Sequence, residues 1–215
     1  MVRIGVIGQS GILPDEVLNM AAKIGKSIAA AGAVVLTGGT NGVMEAVSRG
    51  AKEAGGLVVG ILPGTDATVA NPYVDIPITT GMGFDYRSMV LIHSSDAVIM
   101  VSGGIGTLVE LSAAYMRQKP VVVLETSGGW ANRVKELAYD GIHLDQRREH
   151  YPLHLDFATD PEAAVAMALA RIQGRAQAES SSQTQTRLQS QSQSQSFGKT
   201  TSAGNRAEKI DNDNR

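Results

Sequence analysis

Short runs of β-branched and other apolar residues recur along the chain at 2–7, 33–37, 57–62, 97–101 and 120–124, each nearly unbroken by polar side chains. A half-buried strand would alternate apolar with polar, so these runs predict strands buried on both faces, as in a parallel sheet. Between them the apolar positions recur at helical spacing, over about 14–31, 42–54, 84–95, 106–118, 130–140 and 161–172. Pro14 stands just inside the first helix, Gly32 just past its end, and Gly55-Gly56 closes the second;. Strand–helix alternation at this spacing implies right-handed βαβ units, hence an α/β fold with a doubly wound parallel sheet. Ligands of such sheets sit outside the carboxyl ends of the strands, near the point where strand order reverses.

The helical patterning stops near residue 173. From Gln183 onward Ser, Gln and Thr dominate, with scattered apolar residues such as Leu188, Phe197 and Ile210. Such a composition buries too little surface to offset chain entropy. The expected organisation is therefore a single domain over 1–173 followed by a disordered Ser/Gln-rich tail over 174–215, read as a dispensable extension.

Residues 1–173 hold 13 Lys+Arg against 17 Asp+Glu, an acidic balance that argues against nonspecific nucleic-acid binding and favours a small-molecule ligand;. The chain has no cysteine, which excludes disulfides, thiol catalysis and thiolate metal sites;. The apolar run Ile4–Ile7 is too brief for a signal peptide or membrane span, so a cytoplasmic protein with no membrane partner is expected;.

Two glycine loops each follow a strand and open a helix: Thr37-Gly38-Gly39-Thr40-Asn41-Gly42, and Gly103-Gly104-Ile105-Gly106-Thr107. Glycines admit an anion close to backbone N–H groups, and the free amides and dipole of a helix N-terminus favour negative charge there. Thr107 has two roles open to it, capping the helix or donating to a phosphate oxygen. A Gly-x-Gly-x-x-Gly fingerprint is absent, Gly5-x-x-Gly8-x-x-Gly11 being only a spaced relative, and so is a P-loop;. Two loops facing one cleft would suit a nucleotide.

Glu110 falls on the helical face of the second loop, one turn after Thr107, among the apolar residues Leu108, Leu111 and Ala114;. It either complements the helix dipole or faces a ligand. Arg87 lies in an otherwise apolar helical stretch, where a guanidinium needs a partner: Glu110, Asp85 or a bound phosphate;. His93, His143, His150 and His154 lack metal-ligand spacing, so no metal is expected. Asp145, Arg147 and Arg148 read as a solvated cluster, and Trp130 as a packing anchor at a helix start.

The stretches GGTNGVMEA at 38–46, the Arg87 helix and SGGIGTLVE at 102–110 resemble the LONELY GUY superfamily of Rossmann-like proteins, historically labelled "possible lysine decarboxylase". The resemblance covers about residues 1–173. Its motif is Pro-Gly-Gly-x-Gly-Thr-x-x-Glu, matched here except that Ser102 replaces the proline, and its Arg-Lys pair reads Arg87-Ser88. The segments GVMEAVSRGAKEAGGLVVGILPG and GGWANRV look most like a smaller branch that includes molybdenum-cofactor carrier proteins of algae and cyanobacteria.

For the enzymes of the superfamily, the resemblance implies hydrolysis of the N-glycosidic bond of nucleoside 5′-monophosphates such as AMP or cytokinin ribotides, with no cofactor required. Glu110 would stabilise the oxocarbenium-like centre and activate water; Arg87 would position the substrate and keep the carboxylate ionised. The amides of Gly103, Gly104, Ile105, Gly106 and Thr107 would bind the 5′-phosphate, with Gly38, Gly39 and Thr40 lining the opposite wall. The alternative is a non-catalytic carrier of a nucleotide or a molybdopterin-type ligand; a nucleotide-sensing regulator ranks last. Lysine decarboxylation is not supported, because no lysine stands in or beside either glycine loop;. The resemblance also implies a homodimer or homotetramer, with the helices at 84–95 and 106–118 packing across a two-fold axis.

Overall fold

The structure, a computed structural model, describes residues 1–178, 180 and 181. The chain divides into two units, Met1–Ile172 and Gln173–Arg215. In the first, seven strands form one parallel sheet: β1 (Arg3–Gly8), β2 (Val34–Thr37), β3 (Val58–Leu62), β4 (Ile76–Thr79), β5 (Ala97–Val101), β6 (Val121–Leu124) and β7 (Leu155–Ala158). Their order is β4-β3-β2-β1-β5-β6-β7. Strand order therefore reverses between β1 and β5, which pair from Ile4↔Ala97 to Gly8↔Val101.

Alternate strand residues feed two separate cores, which is why the apolar runs carry no polar interruptions. Ile99 and Val101 of β5 pack with α1 (Asp15–Ala30), α2 (Val43–Glu53) and α6, which runs through residues 161–172. Val98 and Met100 face the other way, toward α3 (Gly83–Ser94) and α4 (Ile105–Met116). Helices on both faces of a parallel sheet are the doubly wound arrangement the patterning predicts.

Three elements differ from the sequence reading. The helix expected over 130–140 is a 3₁₀ turn, Gly129–Asn132, followed by one helical turn, α5 (Val134–Leu137). Strands β4 and β7 were not anticipated. They are the two sheet edges: all four β4 residues are exposed and include Pro77, while in β7 the two middle residues, Asp156 and Phe157, are only half-buried. Neither shows the unbroken apolar run of a strand covered on both faces. In the second unit the described residues, 173–178, 180 and 181, are helical; the rest of the expected 174–215 tail lies outside the described residues. No helix among the described residues is long and apolar enough to cross a membrane.

Candidate functional site

A cavity of about 290 Å³ opens at the carboxyl ends of β1 and β5, where strand order reverses. One wall is the start of α4. Gly104 is its N-cap, extended and without any side-chain cap, and the amides of Ile105, Gly106 and Thr107 have no acceptor among the described residues. A Cβ built on Gly104 or Gly106 would meet nothing within 4 Å, so both glycines leave their backbone open to the cavity. Free first-turn amides at the positive end of a helix dipole form an anion site.

The 38–42 loop is held differently. The first amide of α2, Val43 N–H, donates to the Gln9 carbonyl at 3.0 Å. The Asn71 side-chain amide donates to the carbonyls of Gly39 at 3.1 Å and Thr40 at 2.8 Å, and the Thr40 hydroxyl turns to Met44 Sδ at 3.5 Å. Of the three residues expected on the opposite wall, only Gly38 lines the cavity; Gly39 and Thr40 do not. Gly103 is likewise behind the wall: its carbonyl accepts from Trp130 N–H at 3.1 Å, and a Cβ on it would crowd Thr107 at 2.9 Å. Trp130 thus serves the packing role expected of it.

Gly8, Gln9 and Ser10 complete the cavity from the end of β1. Their sequence signal is the central, unbroken strand before them rather than a phosphate motif. Phe84, Asp85, Arg87 and Ser88 enter from α3, and Val109 and Glu110 from α4.

Arg87 and Glu110 are buried, 5 % and 8 % exposed. Arg87 Nε has no hydrogen-bond partner, and neither Asp85 nor Glu110 reaches the guanidinium as an ion pair. It rests against Phe84, 5.8 Å from the ring centroid, and against Gly38, where a Cβ would stand 2.0 Å from Nη1. Burial lowers the Arg87 pKa, opposed by the charge of Glu110. A buried cation with unspent donors beside free helix amides fits a phosphorylated ligand better than a structural ion pair.

Glu110 accepts from the Ser88 hydroxyl through Oε1 at 2.8 Å. Burial pushes its carboxyl above the ordinary range, against the lowering effects of the Ser88 bond and Arg87. Arg87 does favour the ionised carboxyl, the direction expected of it, but desolvation is the larger influence on the shift. The environment favours a carboxyl that keeps its proton longer than usual.

Ser102, at the position where the resembled motif has proline, is held with φ 56°. Its N–H donates to Ser127 Oγ at 2.7 Å. Proline can supply neither the positive φ nor the N–H. Ser102→Pro is expected to cost about 2 kcal/mol, read as a lower urea midpoint at unchanged slope.

Among the described residues no group of three or more His, Asp or Glu is placed to hold a metal ion.

The sequence model of the SLOG cluster4 family matches residues 1–165. An uncharacterised protein of Archaeoglobus fulgidus is 44 % identical over 125 residues, 58 % of this chain and 81 % of its own length. The cytokinin riboside 5′-monophosphate phosphoribohydrolase of Mycobacterium tuberculosis is 31 % identical over 139 residues, 58 % of this chain and 74 % of its own. Among solved structures, the molybdenum cofactor carrier protein of Chlamydomonas reinhardtii superposes with a TM-score of 0.66 at 34 % identity, covering 80 % of this chain and 98 % of that one.

Proposed function

Because the chain belongs to the SLOG cluster4 family, we propose that it binds a nucleoside 5′-monophosphate and hydrolyses its N-glycosidic bond, releasing base and ribose 5-phosphate. The observation that carries this reading is Glu110, a buried carboxyl in the cavity that also holds the α4 amides and the unpaired Arg87 guanidinium. A binder of phosphate needs the amides and the cation; it gains nothing from a desolvated acid beside them. Cleavage of the bond does need one, to stabilise the cation developing at C1′ and to manage water. A cavity of about 290 Å³ suits a mononucleotide better than a dinucleotide;. The relationship to the mycobacterial phosphoribohydrolase supports the same reaction.

The likeness to the algal carrier protein supports a second reading, in which the site carries a molybdopterin-type ligand by its phosphate without reacting. One experiment separates the two. Incubated with AMP or a cytokinin ribotide, the protein should release free base and ribose 5-phosphate in equal amounts, measured by chromatography. A carrier would release none and would instead purify with a pterin visible in absorbance and mass spectra.

Assembly as a homodimer or homotetramer is part of the proposal. Tyr86, Ile105 and Met116 expose 72 %, 76 % and 59 % of their surface on α3 and α4. Such apolar exposure fits a face covered by another copy. Met116→Asp should then lower the mass measured by light scattering to that of a smaller assembly.

A further inference from the structure

We propose that Ser88 and Glu110 form a two-way hydrogen-bond switch, in which one serine hydroxyl serves both protonation states of the carboxyl during turnover. The proposal rests on the phosphoribohydrolase reading and adds to it a positioning residue.

The Ser88 hydroxyl has two acceptors within reach: Glu110 Oε1 at 2.8 Å and the Phe84 carbonyl, one turn back on α3, at 3.1 Å. A hydroxyl carries one hydrogen and can still accept. Two complete arrangements follow. With Glu110 ionised, Ser88 donates to Oε1. With Glu110 neutral, the carboxyl O–H donates to Ser88 Oγ, and Ser88 turns its hydrogen to the Phe84 carbonyl. That carbonyl lies within α3, so losing this second donor leaves it bonded in the helix ladder;. Both residues are 8 % exposed, a setting where an unmet hydrogen is costly, and each arrangement gives the Ser88 hydrogen an acceptor and keeps the contact at Oε1 bonded;.

The groups facing Glu110 set the balance between the two states. From α3 come the Arg87 cation and the Asp85 carboxylate; α4 adds the Thr107 hydroxyl and its own free amides. The β1 end brings Gln9 and Ser10, and α2 brings Met44, none of them ionisable near neutrality;. Arg87 favours the ionised carboxyl and burial the neutral one. Ser88 meets either at little cost.

In the reaction, Glu110 gives its proton to the departing nitrogen of the base as the C1′–N bond breaks and the bonding pair leaves with the base. The carboxylate left behind takes the Ser88 hydrogen bond and faces the electron-poor C1′. Water then adds its oxygen to C1′ and returns a proton to Glu110, and the Ser88 hydrogen swings back to Phe84. Nucleotide and water become base and ribose 5-phosphate, with no other reagent consumed.

The test is an NMR titration of the Glu110 side-chain carboxyl carbon in ¹³C-glutamate-labelled protein without substrate, the resonance assigned with Glu110→Gln. Ser88→Ala should move the midpoint up by about one pH unit, because the charge-assisted bond that Ser88 donates to the carboxylate outweighs the neutral bond that it accepts from the protonated carboxyl. Ser88→Thr, which keeps the hydroxyl, should restore it. If alanine does not fold, Ser88→Cys, a weaker donor, should give a smaller upward shift. A midpoint unmoved by both alanine and cysteine overturns the switch, whatever the activity. With AMP, Ser88→Ala should lower kcat about tenfold with KM kept and move the basic limb of the kcat/KM profile, where the proton-donating Glu110 ionises, upward by the same amount as the NMR midpoint; a loss confined to KM overturns the switch. A wild-type protein that releases no base sinks the hydrolase reading itself, independently of the titration.

Discussion

Glu110→Gln is expected to lower base release from AMP about 10³-fold while leaving nucleotide affinity within a few-fold of wild type, measured by single-turnover assay and calorimetry. The asymmetry follows from how the cavity divides its labour. In the proposed reading the α4 amides and Arg87 hold the phosphate, and neither depends on a carboxyl at 110. Glutamine keeps the size of the side chain and an oxygen for the Ser88 hydroxyl at 2.8 Å, so the geometry survives. What disappears is the group that can carry a proton and bear a negative charge opposite C1′. An unchanged rate would leave the carboxyl without a catalytic role and favour the carrier reading.

The same variant exposes the cost of that carboxyl to the fold. The Glu110 pKa is raised by burial, so the native state binds a proton more tightly than the unfolded chain does. A carboxyl of this kind contributes stability that is complete below its unfolded pKa of 4.5 and is lost as pH rises through its higher native value;. The melting temperature of Glu110→Gln minus that of wild type should therefore increase as pH is raised from about 4.5. The attraction between Arg87 and the ionised carboxyl is already contained in the net rise of the Glu110 pKa, so the sign of this slope stands;. A difference that falls with pH would place Glu110 in a site where ionisation is favoured.

How far the fold was legible depended on burial. Strands covered by helices on both faces, such as β5 with Ala97–Val101 wholly buried, carry an unbroken apolar signature that no loop imitates;. The edge strands carry none, since one rim of each meets solvent. Within the site, Glu110 and Arg87 stood out as charges amid apolar residues, a local pattern that one chain displays. Ser88 did not, because a serine on a helix has many innocuous uses and its meaning lies in contact with a residue 22 positions away. The two glycine loops looked equivalent in sequence. They differ because Val43 N–H is already spent on Gln9 and Asn71 holds the chain at Gly39 and Thr40, neither of which lines the cavity, whereas Gly104 to Thr107 at the start of α4 do line it. That distinction is made by long-range hydrogen bonds, which spacing cannot report.

Gly50→Ala is expected to cost about 4 kcal/mol and to lower the melting temperature by about 10 °C, the largest stability loss for the smallest change of side chain. On an isolated helix the same substitution would help by about 1 kcal/mol, since glycine is a poor helix former. Here α1 and α2 cross with backbone against backbone. A Cβ on Gly50 would lie 1.9 Å from the Ala22 carbonyl oxygen and 2.8 Å from its Cα; one on Gly25 would lie 2.0 Å from the Val47 oxygen. No rotamer relieves a clash with backbone, so the helices must separate, and separation opens the core that Val17, Ala21, Ile24 and Val47 fill beneath them. Gly25→Ala forces the same separation, and the double variant should cost less than the two singles together, because the second Cβ enters a gap the first has already opened. The effect reaches the cavity through α2, whose first turn carries Met44 against Gly38 and the Arg87 guanidinium. Gly50→Ala protein that remains folded at low temperature should bind AMP more weakly than wild type; full affinity alongside the stability loss would show that the crossing supports the fold without positioning the site.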